Sequence, residues 1–92
     1  MASFEWDNNE ERSNRLKHGV SFYETQKAFL DEKRVIVEDL GHSENELRYY
    51  CLGKIKDRIL TVRFTYRDDN IRIIGAGFWR NGELLYEKAQ KI

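Results

Sequence analysis

Proline is absent from the 92-residue chain, cysteine occurs once, and the formal net charge is zero. With no proline and no Gly/Ser-rich stretch, nothing reads as a linker. Ninety-two residues supply one core rather than two, so the chain reads as a single domain over residues 1–92. Cys51 has no partner for an internal disulfide and stands at no metal-ligand spacing from His18 or His42. A reducing cytoplasm is therefore the expected location, with no metal and no cofactor. No apolar run is long enough to span a membrane. The opening Met1-Ala2-Ser3-Phe4-Glu5-Trp6-Asp7 lacks the basic and apolar regions of a secretory signal. The phosphate-binding P-loop, the dinucleotide glycine fingerprint and the nucleophile elbow are missing as well. Gly75-x-Gly77 has no third glycine and no phosphate-binding helix after it.

What is present suits a small folded domain. Hydrophobic residues make up 40% and aromatics 13%, which argues against disorder despite 35% charged residues. The charge is unevenly placed. Residues 1–32 carry 4 basic and 7 acidic groups, whereas residues 47–80 carry 8 basic and 3 acidic ones. This fits either one cationic face or the ordinary arginines of solvated strands.

Phe4-Glu5-Trp6 alternates like a short edge strand. Asp7 and Glu10 form a capping-box start for a helix over Asn8–His18, which Gly19 ends. His18 sits where a side chain caps the last carbonyls. Ser21 and Glu24 start a second helix over Phe22–Leu30. From Arg34 the period changes to two. Strands are expected at Val35–Asp39, Glu46–Ile55, Ile59–Arg67 and Ile71–Ile74, and a bulge or close backbone approach at Gly75-Ala76-Gly77. A closing helix over residues 82–92 has Leu84 and Leu85 as its apolar side. The predicted fold is α+β and two-layered: an antiparallel meander packed against two N-terminal helices, with a C-terminal helix.

Chemistry points to the cations of the meander. Arg63 and Arg67 share one strand face about 13 Å apart, with Thr65 between them. Arg48 and Lys54 come from the neighbouring strand, and Arg80 from the end of the last one. Arginine's planar fork suits phosphate, and such a face can hold an RNA backbone. It can also stabilise a pentavalent phosphate during cleavage by the RNA 2′-OH, which needs a base and an acid. Glu46, Lys54, His42 and Tyr86 are the titratable candidates. Each also has a plain structural reading: strand flank, soluble hairpin, exposed loop, helix packing. Phe78 and Trp79 read either as core or as an apolar ledge.

Phe4-Glu5-Trp6-Asp7, Asn14 and Lys17-His18-Gly19-Val20-Ser21-Phe22 together resemble the opening of BrnT-type toxins of bacterial type II toxin–antitoxin modules. The likeness continues through Phe29-Leu30-Asp31, His42-Ser43-Glu44, Glu46-x-Arg48, Phe64-Thr65-Tyr66-Arg67 and Ile71-Arg72-Ile73-Ile74, covering nearly the whole chain in order. The resemblance implies a RelE-like, metal-independent endoribonuclease that cuts RNA and arrests translation. It implies a cognate antitoxin, usually ribbon-helix-helix and BrnA-like. The two would form a hetero-oligomer that meets operator DNA only through the antitoxin. Mapped onto this chain, Arg67 and Arg80 would neutralise the scissile phosphate and Lys54 and Glu46 would move protons. Arg48, Arg63, Arg72 and Tyr86 would hold RNA, with Arg72 alternatively paired to Asp68 or Asp69. The chain departs from the family pattern at Gly77, where an arginine is common, and Arg80 is the nearest substitute. Two alternatives follow: an inactive homologue that keeps antitoxin binding and operon repression, or an RNA-binding domain without cleavage.

Overall fold

The period-two segment beyond residue 34 builds the sheet on which everything else is placed. The computed structural model describes residues 3–91. Its elements are β1 (Ser3–Glu5), α1 (Asn8–His18), α2 (Phe22–Thr25), β2 (Val35–Glu38), β3 (Arg48–Ile55), β4 (Arg58–Arg67), β5 (Asn70–Gly77) and α3 (Arg80–Gln90), with 3₁₀ turns at Gln26–Leu30 and Leu40–His42.

The N-cap bonds form as the sequence implies, but among the described residues neither Glu10 nor Glu24 accepts the cap residue's own N–H, so the capping boxes are half made. Asp7 accepts the N–H groups of Asn9 and Glu10, and Ser21 accepts that of Glu24. Gly19 ends α1 at φ 70°, its N–H donating to the Arg15 carbonyl. The second helix is shorter than expected. After Thr25 it tightens into the 3₁₀ turn, which carries Ala28 against the sheet.

β2, β3, β4 and β5 form the expected antiparallel meander, but the sheet is mixed. Its order is β1-β5-β4-β3-β2, and β1 joins β5 in parallel, Phe4 opposite Ile71. The hairpins turn on Lys56-Asp57 and Asp68-Asp69, with Lys56 and Asp68 at positive φ. In β4–β5, Arg63 faces Gly75 and Phe64 faces Ile73, so Ile74 is an extra residue on β5. The bulge therefore lies just before the first of the two glycines. Beyond β1, the free edge of β5 is closed by α1: buried Asn14 accepts the Ala76 N–H and donates to the Val20 carbonyl.

Alternation gives the sheet two unlike faces. Cys51, Leu60, Val62, Phe64, Ile71, Ile73 and Ala76 face Phe22 and Ala28, forming the main core. Gly53 belongs to this face because the Ala28 backbone lies where a side chain would go. Burial pushes the Cys51 thiol up to about 12, so it is an inert packing group. Leu52 and Ile59 point the other way and meet Tyr86 of α3.

The two-layer expectation is thus corrected, since helices cover both faces. The apolar side of α3 is also not Leu84 and Leu85, which are 47% and 49% exposed. Gly82 and Tyr86 face the sheet instead, one turn apart, because only glycine lets the helix come this close to Thr61 and Leu52.

Candidate nucleic-acid interface

α3 covers the end of its sheet face nearest the β3–β4 hairpin. The rest of that face is open, and alternation lines it with arginine. Arg48 stands opposite Thr65, Thr65 opposite Arg72, and Arg67 opposite Asn70. The open face is a groove made of adjoining hollows. One is about 260 Å³ and is bounded by Asp7, Glu10, Glu46, Arg48, Arg67 and Arg72. It continues across Ile74 into a hollow of about 400 Å³ with Arg63 on its floor, Lys17 and His18 on one wall and Trp79 at its end. On the other side, Glu46 and Arg48 border a third hollow with His42.

Carboxylates hold the arginines in place. Glu46 lies 3.4 Å from Arg67 and 3.7 Å from Arg48, so one anion bridges two guanidiniums from neighbouring strands. Arg72 pairs with Glu5 of β1 at 3.4 Å, not with Asp68 or Asp69. These pairs are partly solvated, each worth at most about 1 kcal/mol. A phosphate can therefore replace a carboxylate at small cost. Among the described residues, Arg63 makes no ion pair. Thr65 is buried and donates to the Leu47 carbonyl, which fixes the strand beneath the arginines.

The structure therefore brings Arg48, Arg67, Arg72 and Glu46 together, with Arg63 one strand step further on. It does not bring Arg80, Lys54 or Tyr86 to them. Arg67 faces Asn70 at the start of β5, while Arg80 follows its end, about 23 Å along an eight-residue strand. The Arg80 side chain is 73% exposed, and its guanidinium is bound to Glu83. The expected convergence of Arg67 and Arg80 on one phosphate is absent. Lys54 is six residues from Arg48 along β3, roughly 20 Å away, beside Asp57 and the C-terminal half of α3. Tyr86 is buried and donates to Asp31 at 2.6 Å, and burial followed by the Asp31 carboxylate pushes its phenol up to about 12. It is a packing residue.

His42 keeps its loop position, with Nδ1 2.9 Å from the Asp39 carboxylate. His18 packs edge-on against Trp79, centroids 5.2 Å apart. Phe78 packs against the main core with the Arg58 guanidinium over its ring, so of the two aromatics only Trp79 borders the groove.

The α1 wall was not foreseen. Glu10, Ser13 and Lys17 fall at helical spacing on the stripe that carries buried Asn14. That spacing was the available signal, but these residues also serve as caps and solvated charges.

The comparisons with known proteins give the family and the fold. The family model for the ribonuclease toxin, BrnT, of type II toxin–antitoxin systems matches residues 6–83. The chain belongs to that family. Membership implies an antitoxin as partner and RNA as substrate class. The 1.1 Å crystal structure of the Brucella abortus ribonuclease toxin, BrnT, matches with a TM-score of 0.64 and 19% identity, over 84% of this chain and 95% of that one. That likeness concerns the fold. No curated protein sequence matches significantly. Among the described residues, no helix is long and apolar enough to cross a membrane.

Proposed function

We propose that this BrnT-family chain is a metal-independent endoribonuclease of the cytoplasm. It cuts RNA in the arginine groove, halts translation, and is neutralised by a cognate antitoxin. The carrying observation is the Glu46 carboxylate held between Arg48 and Arg67 on the open sheet face. A phosphodiester entering between those guanidiniums replaces one anion with another and frees Glu46. The carboxylate then takes the 2′-OH proton, and the 2′ oxygen attacks phosphorus. Arg48 and Arg67 stabilise the added negative charge of the five-coordinate phosphate. The 5′ oxygen leaves with a proton from water, which the open groove admits. Arg72 and Arg63 hold flanking phosphates. A ribbon-helix-helix antitoxin of the BrnA kind would inhibit by covering this groove, and the pair would meet operator DNA through the antitoxin.

The test is cleavage of a defined single-stranded RNA by the purified full chain in the presence of a chelator. Wild type is expected to yield a 2′,3′-cyclic phosphate end. Arg67→Ala is expected to lose about 10²–10³-fold in rate, the usual cost of one transition-state donor. No cleavage by wild type, or full cleavage by Arg67→Ala, would refute the reading.

A further inference from the structure

Trp79 lies directly on β5. A Cβ added at Gly77 would meet the indole Cε2 and Cζ2 at 2.6 Å, so the missing side chain at 77 is what lets the ring come this close to the strand. The indole is half-buried and separates two hollows. On one side is the groove with Arg63 and Lys17. On the other is a hollow of about 330 Å³ between the sheet and the first turn of α3, walled by Tyr50, Leu52, Leu85 and Asn81.

The second hollow has a distinct chemistry. Its walls are mostly apolar and aromatic, yet several polar groups beside it lack partners. Thr61 lines it, but its Oγ1 is covered by Gly82 and makes no hydrogen bond there, so the polar groups within a ligand's reach are those of α3. Trp79 occupies the N-cap position of α3 and offers no side-chain acceptor, so the first-turn N–H groups of Arg80, Asn81 and Gly82 have no intrahelical partner. The Asn81 side-chain amide adds two donors and an acceptor at the rim. Aromatic walls with a few donors beside them suit a flat heterocycle that carries acceptor oxygens.

The geometry points to a nucleobase site: the hollow between Trp79 and the first turn of α3 takes one base of the RNA bound in the arginine groove. It prefers a base with a carbonyl oxygen, such as uracil or guanine, over adenine. The assignment rests on the ribonuclease reading for the position of the backbone. Continuity through Trp79 decides between RNA and a protein side chain as occupant, because the same ring borders the cationic groove and the hollow. The base stacks on the indole while its sugar and phosphate turn toward Arg63.

The experiment titrates the full chain with uncleavable 2′-O-methyl oligonucleotides, oligo(U) against oligo(A), and follows tryptophan fluorescence. Saturable quenching is expected, with oligo(U) binding about tenfold more tightly. Trp79→Phe identifies the reporting ring, since Trp6 packs against Phe22 away from the hollow. In cleavage, Trp79→Ala should raise KM about tenfold while kcat stays within threefold. Trp79→Phe should retain most of the affinity, and Asn81→Ala should level the preference between bases. Equal quenching by both oligomers, or unchanged KM and base preference in Trp79→Ala and Asn81→Ala, would overturn the assignment. So would variants that bind RNA normally but lose the antitoxin, which would give the hollow to the protein partner. Base-selective quenching without any cleavage would remove the ribonuclease reading and leave the base site standing.

Discussion

Asn14 and Ala76 lie 62 residues apart and share a 3.0 Å hydrogen bond, in which the Asn14 amide oxygen accepts the backbone N–H. The same side chain donates to the Val20 carbonyl at 3.1 Å. One asparagine thus acts as a short substitute strand along the β5 edge that β1 does not reach, and it fixes α1 as a wall of the groove.

Asn14→Leu should therefore cost about 2–3 kcal/mol, the penalty for leaving buried backbone groups unpaired. Asn14→Asp, of the same shape, keeps the acceptor but sets a carboxylate against the Val20 carbonyl, so it should cost at least as much. Urea denaturation at pH 7 measures both. A loss under 0.5 kcal/mol (approximately; the usual surface range) would mean that water satisfies Ala76 and Val20.

Arg63 and Arg80 should differ as phosphate contacts. Arg63 is on the groove floor without an ion pair among the described residues, while Arg80 is outside the groove and bound to Glu83. For single-stranded RNA, each phosphate contact adds about 0.7 to the slope of log affinity against log salt. Arg63→Ala should reduce the slope by about that amount, and Arg80→Ala by less than half of it. The reverse order would move the RNA path to the α3 end of the sheet.

The meander was legible because period two reports itself locally, and the turns at Lys56-Asp57 and Asp68-Asp69 close the β3–β4 and β4–β5 hairpins. The parallel pairing of β1 was not, because alternation in Phe4-Glu5-Trp6 carries no information about a partner 67 residues away. The side of α3 was misread for a related reason. Leu84 and Leu85 are apolar, but the closeness that Gly82 permits decides which stripe packs. At the site, residue types were readable and positions along the strands were not. Arg48 and Lys54 share a face by parity, and only their separation along β3 shows that they cannot act on one phosphate.

Lys56 has φ 56° at the first turn position of the β3–β4 hairpin. A left-handed conformation costs a non-glycine residue about 1–2 kcal/mol. Lys56→Gly relieves that cost but gives back part of it by loosening the unfolded chain. A net gain of about 0.5–1 kcal/mol is expected, with unchanged RNA binding because the turn is remote from the arginines. A fall in melting temperature would show that the lysine is unstrained there.

Asp31 and Tyr86 should shape stability at both ends of the pH scale. Burial alone would raise the Asp31 carboxyl. Hydrogen bonds from Tyr86 and from the Lys54 and Lys33 backbones, together with the Lys33 charge, outweigh that and hold it below its ordinary 3.8. A depressed carboxyl stabilises the fold above its unfolded value, and the gain disappears as pH falls through the folded value. Tyr86 has the opposite sign. Its raised phenol contributes fully below about pH 10, and the contribution is lost as pH rises toward about 12. Tyr86→Phe should thus cost about 1–2 kcal/mol at pH 7, with the gap to wild type closing above pH 10 (approximately the unperturbed phenol). Asp31→Asn should show its gap closing below about pH 4. Cys51 adds an alkaline loss of its own, because burial raises its thiol too. That contribution is common to wild type and both variants, so the difference between them reports the pair alone. Urea midpoints at pH 3, 7 and 11 (roughly spanning the acid, neutral and alkaline ranges) measure it. A Tyr86→Phe gap that persists undiminished at the alkaline end would mean that the phenol contributes through packing rather than through its bond to Asp31.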